Sequence, residues 1–168
     1  MKQQILFLLS GPPGAGKTTY CKKQMELIKQ KDPEAMIYHI SRDAIRFSVL
    51  EEGEEYFAKE KQVKQMFFNR ILFCFLNWEH CYVFADATFL SPKYRKNFLE
   101  QLFKLLPEAP AVYAVNFKTD LNTCIAQNNM RTGRERVPED VLTKMYYRYI
   151  PPTQEEYPYE RILVIKNE

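Results

Sequence analysis

The chain's 168 residues make one ordinary domain, large enough to bury a core without disulfides or a structural metal. Hydrophobic residues at 46% and charged residues at 27% exclude a disordered tail, and a net charge of +3 with a pI of about 8.6 is too mild to announce a nucleic-acid binder by itself. No apolar run approaches the ~20 residues of a membrane span, and the N-terminus lacks the apolar core and small-residue cleavage site of a signal peptide.

In chain order the apolar residues alternate between strand-like and helix-like periods. Residues 3–9 read as a short strand buried on both faces. A helix follows from Lys17 to about Gln30 and stops ahead of Pro33, whose ring forbids continuation. Residues 36–40 read as a second strand and residues 43–50 as a helix. Residues 54–79 carry a long helical pattern, with Phe57, Val63, Phe67, Ile71, Phe75 and Trp78 on or near one stripe; the acidic run 51–55 is a solvated approach to it. Residues 81–85 make a third strand, and Ser91-Pro92 opens a helix that runs to about Leu106. Residues 111–117 make a fourth strand, after which Thr119 or Asp120 caps a helix. Pro138-Glu139-Asp140 opens another helix that ends near Tyr149, and residues 162–165 are a last strand. The order β-α-β-α-α-β-α-β-α-α-β, with apolar non-alternating strands, predicts an α/β fold: a five-stranded parallel sheet with helices on both faces.

Cys21, Cys74, Cys81 and Cys124 form no C-x-x-C pair, and His39 and His80 fall in no ligand spacing, so buried reduced thiols of a cytoplasmic protein are expected rather than a zinc site. The aromatic excess, twelve Phe and eleven Tyr, reads as core with Tyr at its rim; base-stacking platforms are the sharper alternative.

The strongest motif is Gly11-Pro12-Pro13-Gly14-Ala15-Gly16-Lys17-Thr18, which fits G-x-x-x-x-G-K-[ST], between a buried strand and a helix. Its glycines let successive backbone N–H groups converge on phosphate oxygens, and the helix aims its positive end at the same anion. Lys17 then reaches the β and γ phosphates of ATP, the Thr18 hydroxyl ligates Mg²⁺, and Thr19 adds a hydroxyl near the α-phosphate. At the end of the second strand stands Ser41-Arg42-Asp43-Ala44-Ile45-Arg46. Ligands of open α/β sheets sit at the carboxyl ends of the strands, which places Asp43 beside the P-loop. There it can accept the proton of an attacking hydroxyl, with Arg46 on the same helix face to neutralise a phosphate; a helix cap with a surface ion pair is the plainer alternative. Asp86, after the third strand, takes the position that holds Mg²⁺ together with Thr18. Lys93, Arg95 and Lys96 beyond it are an exposed basic face or contacts to an acceptor strand. Between residues 128 and 137, Arg131, Arg134 and Arg136 straddle Gly133, a pattern that suits a lid whose arginines close over ATP, against the alternative of a solvated basic loop.

The series GPPGAGKTT, SRDAIR, an apolar strand ending in DAT with SPKYR beyond it, and NNMRTGRERVPEDVL resembles the 5′-polynucleotide kinase family of end-healing enzymes, over nearly the whole chain from Ile5 to about Ile165. The resemblance implies a single P-loop kinase domain over residues 1–168, with a lid at about 128–137. It implies Asp43 as the general base for a 5′-hydroxyl, Arg46 on the scissile or acceptor phosphate, and Asp86 as the third-strand acid. It also implies Arg131 as the lid arginine, with Arg134 a second candidate, and a DNA or RNA 5′-OH end as acceptor. Phe89 departs from the family, where an Asn is common after D-x-T. The chain ends at Glu168, which leaves no room for the phosphatase or ligase domains that accompany many such kinases. A kinase of a small acceptor, such as a nucleoside, sugar, antibiotic or sugar-nucleotide, is the nearest alternative. A nucleotide-dependent switch or ATPase module is the alternative of another class.

Overall fold

The structure, a computed structural model, describes residues 2–167, with residue 134 described by its backbone only. The strands β1 (Gln4–Ser10), β2 (Met36–Ser41), β3 (Cys81–Asp86), β4 (Ala111–Thr119) and β5 (Arg161–Asn167) form one sheet in the order β2-β3-β1-β4-β5, every pair parallel. Helices α1 (Lys17–Lys31), α2 (Arg42–Val49), α3 (Glu60–Asn77), α4 (Pro92–Lys104), α5 (Leu121–Asn129) and α6 (Glu139–Arg148) connect them in the order expected from the sequence.

The central strand shows why the pattern is apolar without alternation. Leu6 and Leu8 feed a core shared with α2, α3 and α4, while Ile5, Phe7 and Leu9 feed a second core shared with α1, α5 and α6. Helices therefore cover both faces. Each Leu or Phe fully buried in this way is worth about 1.5–3 kcal/mol. The aromatic excess is mostly core: Phe67, Phe89 and Phe98 meet at ring distances of 5.2–5.9 Å, and Phe7 stacks on Phe84 at 4.4 Å. All four cysteines are free and buried, and burial pushes the Cys21 and Cys81 thiols up to about 12, which makes them poor nucleophiles.

Three local departures from the sequence reading have tertiary causes. The long helix starts at Glu60 rather than near residue 54. Residues 51–59 instead turn, with Gly53 at φ +83° and Lys59 Nζ donating to the Val49 carbonyl, which folds the segment back onto α2. Thr119 does not cap α5; the Asp120 side chain does, accepting from Thr123 N, while Thr119 Oγ1 donates to the Ala15 carbonyl. Arg95 is neither an exposed basic face nor an acceptor contact. It is fully buried, pairs with both oxygens of Glu156 at 2.8 Å, and donates to the carbonyls of Phe89 and Ile150. Losing one partner of such a buried pair costs about 3–5 kcal/mol.

Phe89 adopts φ +45°, a left-handed conformation in which Asn is at ease and a bulky residue is strained. The strain is offset by what its ring reaches: a cluster with the buried Phe67 and Phe98 and the half-buried Tyr94, and the Arg42 guanidinium 5.6 Å away.

Candidate functional site

The chain crosses from β1 over β3 to the edge strand β2, then returns to β3 and leaves on the other side of β1 at β4. At this switch point the strand ends splay and open a cleft. Its parts stand level, because Asp86 is in register with both Leu9 and Ser41. The cleft has a volume of about 1140 Å³ and is lined by the P-loop, α2, the turn before α3, Asp86 and residues of α5 and α6.

The P-loop is held from outside as well as by its own glycines. Gly11 N donates to the Thr88 carbonyl at 3.0 Å. Gly14 has φ +78°, and a Cβ there would lie 2.3 Å from the Cys124 carbonyl oxygen, so no other residue fits. Pro12, Pro13 and Ala15 are buried, whereas Thr18 and Thr19 are exposed at the start of α1. Lys17 reaches back across the loop, its Nζ donating to the carbonyls of Gly11 (2.7 Å) and Pro12 (2.8 Å). Burial lowers the Lys17 pKa, and the nearby charges of Asp86 and Asp43 oppose that shift.

Asp86 is almost fully buried, and its Oδ2 accepts from the Thr18 hydroxyl at 3.1 Å and meets His39 Nε2 at 2.8 Å. A hydroxyl beside a carboxylate is a hard-oxygen donor set, and Mg²⁺ is commonly held by one or two carboxylates together with substrate phosphates. Thr18 and Asp86 therefore fit Mg²⁺. Among the described residues there is no cluster of three or more His, Cys, Asp or Glu that would hold a metal alone.

The Ser41 hydroxyl caps α2 by accepting from Ala44 N, which sets Asp43 and Arg46 one turn apart at the cleft. Arg46 is buried and its terminal nitrogens face protein: one meets Asp43 Oδ1 and the Tyr56 hydroxyl, the other both oxygens of Glu60 at 2.6 and 2.9 Å. Tyr56 also donates to Asp43 Oδ1 at 2.7 Å. Burial, and then the Asp43 charge, raises the Tyr56 pKa, so this phenol stays a donor. Among the described residues Asp43 Oδ2 has no hydrogen-bond partner, and the side chain is 39% exposed toward the cleft.

The 128–137 segment is closed at its base. Asn128 is buried, with Nδ2 donating to the Val137 carbonyl and Oδ1 accepting from Val137 N, so both ends of the segment meet on one side chain. The short 3₁₀ turn Gly133–Glu135 packs against α2. Arg131 lines the cleft, and its charge acts on Lys17. Arg136 is exposed and donates to Asn129 Oδ1 at 2.8 Å. The Arg134 side chain lies outside the described residues.

The structure thus brings Lys17, Thr18, Asp43, Asp86 and Arg131 to one cleft, with Arg46 behind Asp43. Sequence reasoning missed Tyr56, Glu60, His39 and Arg148, which also line or support it. For Tyr56 and Glu60 no local signal existed, because both lie in a segment read as continuous helix.

Residues 6–152 match the AAA domain family, a span that includes the P-loop, Asp43, Asp86 and the 128–137 segment. A guanylate kinase from Caldanaerobacter subterraneus subsp. tengcongensis is 31% identical over 156 residues, covering 92% of this chain, and the chain spans 62% of that relative's length. Among solved structures, Kti12 from Chaetomium thermophilum, in complex with ADP-AlF3, has a TM-score of 0.67 at 14% identity, covering 96% of this chain and 88% of its own. A fungal RNA kinase has a TM-score of 0.62 at 15% identity, covering 99% of this chain and 76% of its own. At such identities the likeness is one of fold, and it agrees with the resemblance to end-healing kinases. By the extent of the family match the chain belongs to the AAA domain family, and its fold is that of the P-loop kinases.

Proposed function

We propose that the chain is a phosphotransferase that moves the γ-phosphate of ATP to a hydroxyl acceptor, with the 5′-OH end of a polynucleotide as the best-fitting acceptor. The observation that carries this reading is the state of Asp43. One oxygen is fixed by Arg46 and Tyr56, and the partly exposed carboxylate lines the cleft that the P-loop and Lys17 share. A carboxylate held in this way suits a general base, which needs a defined position and a free lone pair.

In this reading the P-loop N–H groups and Lys17 bind the ATP phosphates. Thr18 and Asp86 would hold Mg²⁺, whose charge offsets that of the phosphates; Thr18 and His39 aim the Asp86 carboxylate. Asp43 takes the acceptor proton, the acceptor oxygen bonds to the γ-phosphorus, and the bond from that phosphorus to the β–γ bridging oxygen breaks to release ADP. Arg46 acts through Asp43, since a phosphate on the acceptor would compete with Glu60 for its terminal nitrogens. Residues 128–137 form a lid pivoting on the Asn128–Val137 pairing, and Arg131, with Arg134 as a second candidate, stabilises charge on the transferring group.

A small acceptor is the second reading, and the 31% identity to a guanylate kinase favours it. Incubation with labelled ATP and Mg²⁺, offering 5′-OH oligonucleotides beside guanosine monophosphate and a pool of sugars and nucleosides, separates the two. Label on the oligonucleotides, declining as salt rises, is the expected result. Label confined to a small molecule overturns the polynucleotide acceptor.

A further inference from the structure

A second groove runs between α3 and α4, with a volume of about 690 Å³, and none of its lining residues is a carboxylate. Lys61, with Lys64 and Gln65 three and four residues on, shares one face of α3, opposite Asn97, Gln101 and Lys104 on one face of α4. Every polar group of that set can donate to an anion, and three of them are cations. The nearby acids are turned elsewhere: Glu60 is taken by Arg46, and Glu100 lies 3.9 Å from Lys96. Phe68 and Tyr94 add half-buried rings to the lining.

The groove joins the cleft. Lys64 lines both, with Nζ 5.3 Å from the centre of the Tyr94 ring. The Tyr94 hydroxyl in turn accepts from Arg42, the residue next to Asp43. Lys64 and Tyr94 thus link the groove to the cleft that holds Asp43.

We infer that the α3–α4 groove binds the single-stranded polynucleotide downstream of the reacting end, with Lys61, Lys64 and Lys104 on its phosphates and the half-buried rings of Phe68 and Tyr94 beside its bases. This rests on the polynucleotide reading of the cleft. The groove supplies the local positive field that the chain's mild net charge conceals.

The test compares the wild type with K61A/K104A, two exposed positions, after melting curves establish equal stability. Fluorescence anisotropy with 3′-labelled, 5′-OH decamers of RNA and of DNA reads binding. Phosphorylation of decamer and of dinucleotide reads transfer. The expected results are decamer binding weakened about tenfold, a slope of log K against log salt shallower by about 1.4, and a decamer-to-dinucleotide ratio of kcat/KM lowered about tenfold. Equal decamer binding by the two proteins, or none by the wild type, overturns the groove. Transfer to oligonucleotides with an unchanged kcat/KM ratio overturns the groove and leaves the polynucleotide reading standing. Decamer binding lost in the variant, without transfer to any 5′-OH end, does the reverse.

Discussion

On one wall of the cleft the P-loop runs without a break from Gly11 to Thr19. Much of its shape comes from neighbours within a few residues, glycines that allow the turns and a lysine that reaches back to the carbonyls of Gly11 and Pro12, and contacts from Thr88, Thr119 and Cys124 hold it in place. On the opposite wall Asp43, Tyr56 and Glu60 come from a helix, a turn and the start of another helix, and Arg46 joins them. The first wall comes from one continuous stretch of chain. The second exists only when α2 and α3 pack together, so under the proposed function it is where an acceptor preference can change while the P-loop stays the same.

If the walls are separable in function, substitutions on each should leave different signatures. The largest effect is expected for Lys17→Ala, which removes a cation from the phosphate cradle and should lower transfer about 10³-fold and weaken ATP binding together. Steady-state rates with calorimetric titration of ATP would check both. Asp43→Asn should lower transfer at least ~10²-fold while ATP affinity stays nearly constant. Joint loss of binding and transfer in Asp43→Asn would mean that the walls act as one unit. Tyr56→Phe keeps the ring against Arg46 and deletes the hydroxyl's bond to Asp43 and the one it accepts from Arg46, so kcat should fall about tenfold with the KM for ATP unchanged. The smallest effect on transfer is expected for Asn128→Ala, whose main cost is to stability: it strands the Val137 N–H and carbonyl in a buried site at about 1–3 kcal/mol. Urea unfolding would measure that cost, and faster proteolysis near residue 133 would show that the pairing closes the segment.

The buried arginines sharpen the same contrast. Arg95 has carboxylate and carbonyl partners for three of its nitrogens and belongs to the frame. Arg42 and Arg46 each keep a buried Nε without a partner, at the helix that carries Asp43. In the sequence Arg46 has a phosphate role and Arg95 a surface one, and the partners in the structure place both inside the molecule.

The amino-acid sequence by itself determined the element order, the parallel sheet, the P-loop and the helix start at Ser91, and it narrowed the cap of α5 to Thr119 or Asp120; the Ser41 cap of α2 emerged only from the structure. Each feature so determined depends on contacts within about one helical turn or on the plain apolarity of a doubly covered strand. The tertiary structure alone decided that Tyr56 and Glu60 close on Asp43 and Arg46, that Arg95 is interior, that Asn128 clasps Val137, and that Phe89 adopts a left-handed backbone to fill a core. Those choices compare packing across elements against local preference, and the balance exists only once the strands have taken the order β2-β3-β1-β4-β5.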